Sequence, residues 1–272
     1  MTASYWYFRC EQGERRLIMR FMIEAACGCH RGRKRNINED NCYFDGKCLE
    51  ISNNGLKNPA WVVQPVRQGM CYALFDGMGG ENFGEVASFA AARKMQQIDR
   101  ASGDYFVPER KFLQEMVWQL NDEVEQVKKN LKTSYMGTTM VSLYFSGRYV
   151  YVCNVGDSRA YRLRQGELLQ ISKDHVEHRP GRENSKGVLT QHLGIDRTEM
   201  EIDPHIAKGE LQEGDIYLLC SDGLTDMLSN FEIFCLLRDH NNMDECAMAL
   251  IRAALEKGGL DNITVLLCKV ET

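Results

Sequence analysis

Short acidic islands recur along the chain, each at or near the end of an apolar, strand-like run. They are Arg35-Asn36-Ile37-Asn38-Glu39-Asp40, Asp76-Gly77-Met78-Gly79-Gly80, Gly156-Asp157-Ser158-Arg159, Ser221-Asp222-Gly223 and Gly259-Leu260-Asp261-Asn262. A chain that repeats this arrangement has to bring several strand ends to one place, because scattered carboxylates are stable together only around positive charge. Carboxylates delivered by strand ends are how a fold builds an oxygen-lined site for hard divalent cations, with water filling the remaining positions.

The runs between the islands set the fold class. Residues 22–29, 41–44, 69–75, 138–145, 149–155, 160–164, 168–171, 216–220 and 262–270 read as strands. Ser146-Gly147-Arg148 and Gly166 mark tight hairpin connections. The stretch 48–66 carries turn signals at Asn53-Asn54-Gly55 and apolar residues at Trp61-Val62-Val63, which predicts a hairpin. Helical spacing of Phe112, Met116, Val117, Leu120, Val124 and Val127 predicts a helix over 109–131. Further helices are expected at 83–98, 230–239 and 243–257. Strands, a block of helices, more strands, helices and a final strand do not alternate regularly. That favours an α+β layered fold with antiparallel sheets over a doubly wound parallel one.

With only 5 prolines in 272 residues and no low-complexity linker, the expectation is one domain over 22–270. Residues 1–21 mix aromatic and basic side chains without a signal-peptide pattern, and are read as an extension outside the core. A formal net charge of −5 gives no support for a nucleic-acid or anionic-membrane partner. No run of about 18 apolar residues marks a membrane-spanning helix. The 11 cysteines fall largely inside strand-like runs, as Cys71, Cys153, Cys220 and Cys268 do, where a thiol behaves as a small apolar group. This reads as a reduced, cytoplasmic protein.

Two ions held close together can turn a bridging water into a nucleophile and clamp a phosphoryl group. Arg35, just before Glu39 and Asp40, offers a permanently charged planar fork matched to phosphate oxygens, whereas Arg31, Arg33 and Lys34 read as a solvated turn. Asp76 and Asp222 each precede a glycine, which allows backbone to approach an ion. Singly such Asp-Gly pairs are most often turns; it is their repetition after consecutive strands, with Asp157 and Asp261 placed likewise, that points to a metal-dependent hydrolase.

Seven segments in order carry a resemblance. They are the Arg35–Asp40 island, Asp76–Gly80, Gly137-Thr138-Thr139, Asn154–Arg159, Lys173-Asp174-His175, Leu218–Leu224 and Asp261–Thr264. Over about residues 22–270 the set resembles the metal-dependent protein phosphatases, also called protein phosphatase 2C-like, in their bacterial Ser/Thr branch. The resemblance implies a four-layer α/β/β/α sandwich of two antiparallel sheets packed face to face, with helix pairs outside. It implies hydrolysis of phosphoserine and phosphothreonine by direct attack of a water or hydroxide bridging two Mn²⁺ or Mg²⁺ ions. By that analogy Asp76 bridges the ions and positions the water, and Asp222 and Asp261 complete one site. The Gly77 carbonyl and Glu39 serve the other, and Asp40 holds metal-bound waters. Asp157, with Asp222, takes a weaker third ion, and Arg35 grips the substrate phosphate. Phosphoprotein substrates, a bacterial Ser/Thr kinase and its targets, and a monomeric state are the partner expectations.

The sequence departs from the family's pattern in two places. Met78 stands where some relatives carry a histidine able to act as a general acid; His175, beside Asp174, reads better as a structural histidine. The stretch 176–188 is shorter than the usual flap, polar and basic, and reads as a loop in which Arg179, Arg182 and Lys186 are candidate substrate contacts.

Two rival readings remain. A thiol phosphatase needs Cys-(x)5-Arg in a loop opening a helix; the spacing occurs at Cys10/Arg16, Cys27/Arg33 and Cys29/Arg35, but a strand, not a helix, is expected after Cys29. A non-catalytic phosphoprotein reader would have no use for so many mutually repelling carboxylates.

Overall fold

In the computed structural model, residues 21–78, 83–101, 107–177 and 187–272 are described. They form, in chain order, β1 (Met22–His30), β2 (Asp40–Phe44), β3 (Lys47–Cys48), β4 (Ala60–Pro65), β5 (Met70–Met78), α1 (Gly84–Ala101) and α2 (Glu109–Leu131). Then come β6 (Gly137–Thr138), β7 (Met140–Ser146), β8 (Tyr149–Val155), β9 (Arg159–Arg164), β10 (Glu167–Gln170), β11 (Val176–Glu177), β12 (Val188–Leu189) and β13 (His205–Glu210). β14 (Ile216–Cys220), α3 (Asp222–Thr225), α4 (Asn230–Asp239), α5 (Met243–Glu256) and β15 (Ile263–Glu271) complete the chain. The expected extension at 1–21, apart from Phe21, and the loop residues Arg179, Arg182 and Lys186 lie outside the described residues. Among the described residues no helix is long and apolar enough to cross a membrane.

The strands sort into two antiparallel sheets. One runs β10-β9-β14-β15-β1-β4; the other runs β13-β8-β7-β5-β2-β3, with β6 pairing off the end of β5. Period-two alternation then decides what each face touches. In β5, Met70, Tyr72 and Leu74 point between the sheets, while Cys71, Ala73 and Phe75 point outward beneath Ala87, Ala91 and Met95 of α1 and Leu113, Val117 and Leu120 of α2. In β15, Leu266, Cys268 and Val270 face the other sheet, and Ile263, Val265 and Leu267 meet Ile233 and Leu237 of α4 and Cys246, Ala247 and Leu250 of α5. Strands covered on both faces have no solvent-facing side, which is why β2, β7 and β14 are buried from end to end. The result is the four-layer α/β/β/α sandwich that the resemblance implies.

One local expectation is corrected, and two elements were not anticipated. The stretch 48–66 does not form a hairpin: Cys48 pairs with Tyr43 in one sheet, while β4 pairs with β1 in the other, Trp61 opposite Ala26. β13 was not anticipated; it pairs with β8 on the edge of its sheet and is half-exposed, so its apolar signal is weak. After Cys220 the chain enters α3 directly, with Asp222 as its first helical residue.

Candidate active site

The inter-sheet face of β5 reads Met70, Tyr72, Leu74, so the next residue on that face, Asp76, emerges where the core ends. Its neighbour across β2 is Asp40, in register with it. The peptide around Asp76 is fixed on both sides. Its N–H donates to Thr139 Oγ1 (3.1 Å), and its carbonyl accepts from Thr139 N (2.9 Å) and Thr138 Oγ1 (2.9 Å). Gly77 N–H donates to the Glu39 carbonyl (3.1 Å).

Gly77 is sterically required. A Cβ there would stand 2.1 Å from the Gly84 carbonyl oxygen and 2.6 Å from that of Glu39, and one on Gly84 would stand 2.2 Å from Glu39 Oε1. The start of α1, the end of β5 and the Glu39 loop therefore meet backbone to backbone. Gly77→Ala is expected to destabilise the protein by roughly 3 kcal/mol, the upper end of the usual range for overpacking, because the contacts are to backbone. A urea midpoint equal to the wild type's would show that α1 can move aside.

Asn262 holds the loop that carries Arg35 and Glu39. Its side-chain amide donates to the carbonyls of Arg31 (2.8 Å) and Ile37 (2.9 Å), and its Oδ1 accepts from Glu39 N (2.8 Å). The Asn262 side chain is buried, so the amide's fixed geometry sets the loop's position. Arg35 then reaches across to Asp261, Nη2 to Oδ2 at 2.7 Å, and to Glu39, Nη1 to Oε2 at 3.3 Å.

Asp40 ties the two sheets together. Its Oδ2 accepts from Ser221 Oγ (2.8 Å), which follows β14, and from Thr264 Oγ1 (2.7 Å) on β15. Its Oδ1 is buried without a hydrogen-bond partner.

These pieces enclose a cavity of about 470 Å³. It is lined by Arg35, Glu39, Asp76, Gly77, Asp157, Asp222 and Asp261, together with Met78, Thr139, Gly187, Val188, Leu189 and His192. Every carboxylate singled out in the sequence except Asp40 lines it. Asp40 sits behind it, one strand over from Asp76. Thr139, Asn262 and His192 were missed by the sequence reading. The Gly-Thr-Thr and Asp-Asn-Ile-Thr segments flagged the first two, whereas nothing local marks His192.

The electrostatics are those of crowded like charges. Burial, then the charges of Asp222, Asp40, Asp157 and Asp261, push Asp76 well above the ordinary carboxylate range. Burial also raises Asp40 to about 7, against the pull of the Thr264 and Ser221 hydroxyls. Glu39 is raised by burial, with Arg35 opposing and Glu85 and Asp261 adding. Burial works against the Arg35 charge, but its bond to Asp261 and the charges of Asp261, Glu39 and Asp76 outweigh that and hold its pKa up.

A divalent-cation pair fits this chemistry. Five oxygen-donor carboxylates share the cavity with a single arginine, and behind them a buried oxygen of Asp40 has no hydrogen-bond donor. Among the described residues no three His, Cys, Asp or Glu side chains form a ready-made chelate, so water and backbone carbonyl have to complete each ion's shell.

Other candidates fall elsewhere. Arg159 pairs with Asp174 (Nη2 to Oδ2, 2.7 Å) outside the cavity lining. His175 accepts from Gly156 N through Nδ1 (3.0 Å) and lines a separate polar cavity with Arg110, Lys173 and His205, as a structural histidine would. Cys29 is buried within β1, and burial followed by the Asp40 charge drives its thiol pKa up, the reverse of what a nucleophilic thiolate requires.

A strand-end carboxylate cavity in a four-layer sandwich defines a class, and comparison with known proteins places the chain within it. The Protein phosphatase 2C family model matches residues 52–256. The chain is 33% identical over 252 residues to Serine/threonine phosphatase stp of Listeria monocytogenes serotype 4b (strain F2365), covering 87% of this chain and 92% of that protein. It is 32% identical over 268 residues to Serine/threonine protein phosphatase PstP of Mycobacterium tuberculosis (strain CDC 1551 / Oshkosh), covering 92% of this chain and 45% of that protein. The structure of the catalytic domain of PstP in complex with 2 manganese ions superposes with a TM-score of 0.73 at 30% identity, over 93% of this chain and all of that one. PppA, described as a key regulatory component of T6SS in Pseudomonas aeruginosa, gives a TM-score of 0.72 at 28% identity, over 91% of this chain and 97% of that one. The chain belongs to the protein phosphatase 2C family.

Proposed function

We propose that this protein is a metal-dependent Ser/Thr protein phosphatase that hydrolyses phosphoserine and phosphothreonine with two Mn²⁺ or Mg²⁺ ions. The observation that carries the reading is the convergence of Arg35 and five carboxylates, Glu39, Asp76, Asp157, Asp222 and Asp261, on one cavity at the end of the sandwich. Asp76 would be shared by both ions. Asp222 and Asp261 would hold one ion with it, and the Gly77 carbonyl and Glu39 would hold the other. Asp157, with Asp222, would take a third, weaker ion. When bound, the cations lower the pKa of water so that hydroxide is available near neutral pH, and they take up charge on the phosphoryl oxygens.

The chain's own residues do the rest. Arg35, a partly exposed fork, orients the phosphate and balances its charge; substrate exchanges for Asp261 and Glu39 as its partner. Asp40 Oδ1, buried behind the cavity and without a partner, would accept from metal-bound water. The short α1 contact through Gly84 keeps Glu39 in place.

The substrates are phosphoproteins, in this reading those of a bacterial Ser/Thr kinase together with the kinase itself. The catalytic unit is the single domain 22–270, acting as a monomer in the cytoplasm. Arg179, Arg182 and Lys186 are proposed to meet the substrate chain.

The test is hydrolysis of p-nitrophenyl phosphate and of a phosphothreonine peptide with Mn²⁺, with excess EDTA, and after thiol alkylation. Mn²⁺-dependent turnover abolished by EDTA and indifferent to alkylation is expected. Turnover that persists in EDTA and disappears on alkylation would sink the metal reading and restore the thiol one. Phosphopeptide binding without turnover would favour the reader.

A further inference from the structure

A seryl or threonyl leaving group is an alcohol, about as weak an acid as water, whose pKa is near 16. Expelling it as the bare alkoxide is slow, and a positioned acid that protonates the oxygen as the P–O bond breaks accelerates such a step by about 10²–10⁴-fold. The cavity wall offers few groups able to do this. Arg35 has its pKa held up by Asp261 and its neighbours and does not release a proton. Met78 carries a thioether. The carboxylates assigned to cations are ionised when they bind them. Among the described residues one imidazole lines the cavity, that of His192.

Building on the phosphatase reading, we propose that His192 is the general acid that protonates the departing seryl or threonyl oxygen. Three observations place it for the task. First, it stands beside the position of Met78. Met78 pairs with Gly137 across β5 and β6, and a Cβ on Gly137 would fall 2.5 Å from His192 Nδ1, so the ring packs on the bare glycine. Second, its backbone is anchored to the site's own framework. Leu193 N donates to the Thr138 carbonyl (2.8 Å), and the Leu193 carbonyl accepts from Thr138 N (3.2 Å). Thr138 in turn bonds the Asp76 carbonyl. Third, its tautomer is set. A carbonyl only accepts, so Nδ1, 2.9 Å from the Leu193 carbonyl oxygen, carries a proton committed to that bond. Nε2 is then the nitrogen that exchanges a proton.

Burial keeps the His192 pKa below the ordinary histidine value, with the bond to Leu193 opposing and Lys128 adding. A phosphate dianion in the cavity draws a proton onto the ring, and burial makes that proton easy to give up. In the step itself the water oxygen forms a bond to phosphorus as the bond to the seryl oxygen breaks. The electron pair stays on that oxygen, which takes the Nε2 proton. Phosphate leaves with the remaining atoms of the water, and His192 regains a proton from solvent.

The leaving group supplies the test. p-Nitrophenolate is a stable anion that needs no acid, whereas the threonyl oxygen does. His192→Gln keeps a polar side chain of similar length but transfers no proton. With Mn²⁺ the variant is expected to lose about 100-fold in kcat on the phosphothreonine peptide, while p-nitrophenyl phosphate turnover changes less than about threefold. His192→Ala should behave alike, with added imidazole recovering peptide turnover selectively. A parallel fall on both substrates, or no fall on either, overturns the assignment, because a structural role cannot distinguish leaving groups. Wild-type protein that hydrolyses neither substrate would instead remove the phosphatase reading, and this proposal with it.

Discussion

Asp76→Asn is expected to lower Mn²⁺-dependent turnover by about 10³-fold or more, equivalent to roughly 4 kcal/mol of transition-state stabilisation. The expectation follows from position. Asp76 is the one carboxylate at the end of a central strand with its backbone held by Thr138 and Thr139, and all four other aspartates of the site contribute to raising its pKa. Asparagine preserves shape and removes the charge. Steady-state kinetics across a Mn²⁺ titration separates the two ways this can act. Turnover recovering at high Mn²⁺ would mean weakened binding, whereas a deficit that persists at saturation means that the bridging charge itself is needed. Full activity at ordinary Mn²⁺ would remove Asp76 from the mechanism.

The same substitution is expected to do the opposite to the stability of metal-free protein. Asp76 and Asp40 have folded-state pKa values raised above those of an unfolded chain. For a raised pKa the stabilising contribution is fully present below the unfolded value, near 4, and is lost as pH rises through the folded value, about 7 for Asp40 and well above the ordinary range for Asp76. In EDTA, then, Asp76→Asn should melt higher than wild type at pH 8, by about 5 °C or more, and the gap should close toward pH 4. Taking the difference between the two proteins removes the contrary contribution of His30, His175 and His192, whose lowered pKa values weaken the fold as pH falls. Mn²⁺ should reverse the order at pH 8. A gap independent of pH would show that packing, not charge, is responsible.

Much of this was legible in the sequence because it is written locally. β5, β7, β8, β14 and β15 are continuous apolar runs bounded by turn residues, and α2 repeats its apolar positions at helical spacing, so both kinds of element announce themselves. The carboxylates were legible because they end those runs. What was not legible is decided by long-range pairing. Trp61-Val62-Val63 reads as half of a hairpin, yet its partner is β1, some 35 residues upstream in the other sheet, since Trp61 meets Ala26. Only the closing of the whole sandwich makes that choice. β13 was lost because an edge strand with Lys208 and Gly209 in it lacks the apolar density of its neighbours. His192 belongs to neither category. It sits in a stretch without a motif, and the bridge between Thr138 and Leu193 carries it to the cavity wall.

The Asp40 carboxylate has a consequence beyond the chemistry it adjoins. It belongs to one sheet and is held by hydroxyls that follow or lie on strands of the other, Ser221 and Thr264, at the edge of the apolar core between them. The spacing of the layers and the dimensions of the cavity are therefore one mechanical variable. Ser221→Ala with Thr264→Ala, neither of which lines the cavity, is therefore expected to lower turnover as well as stability, read by steady-state kinetics beside a urea melt.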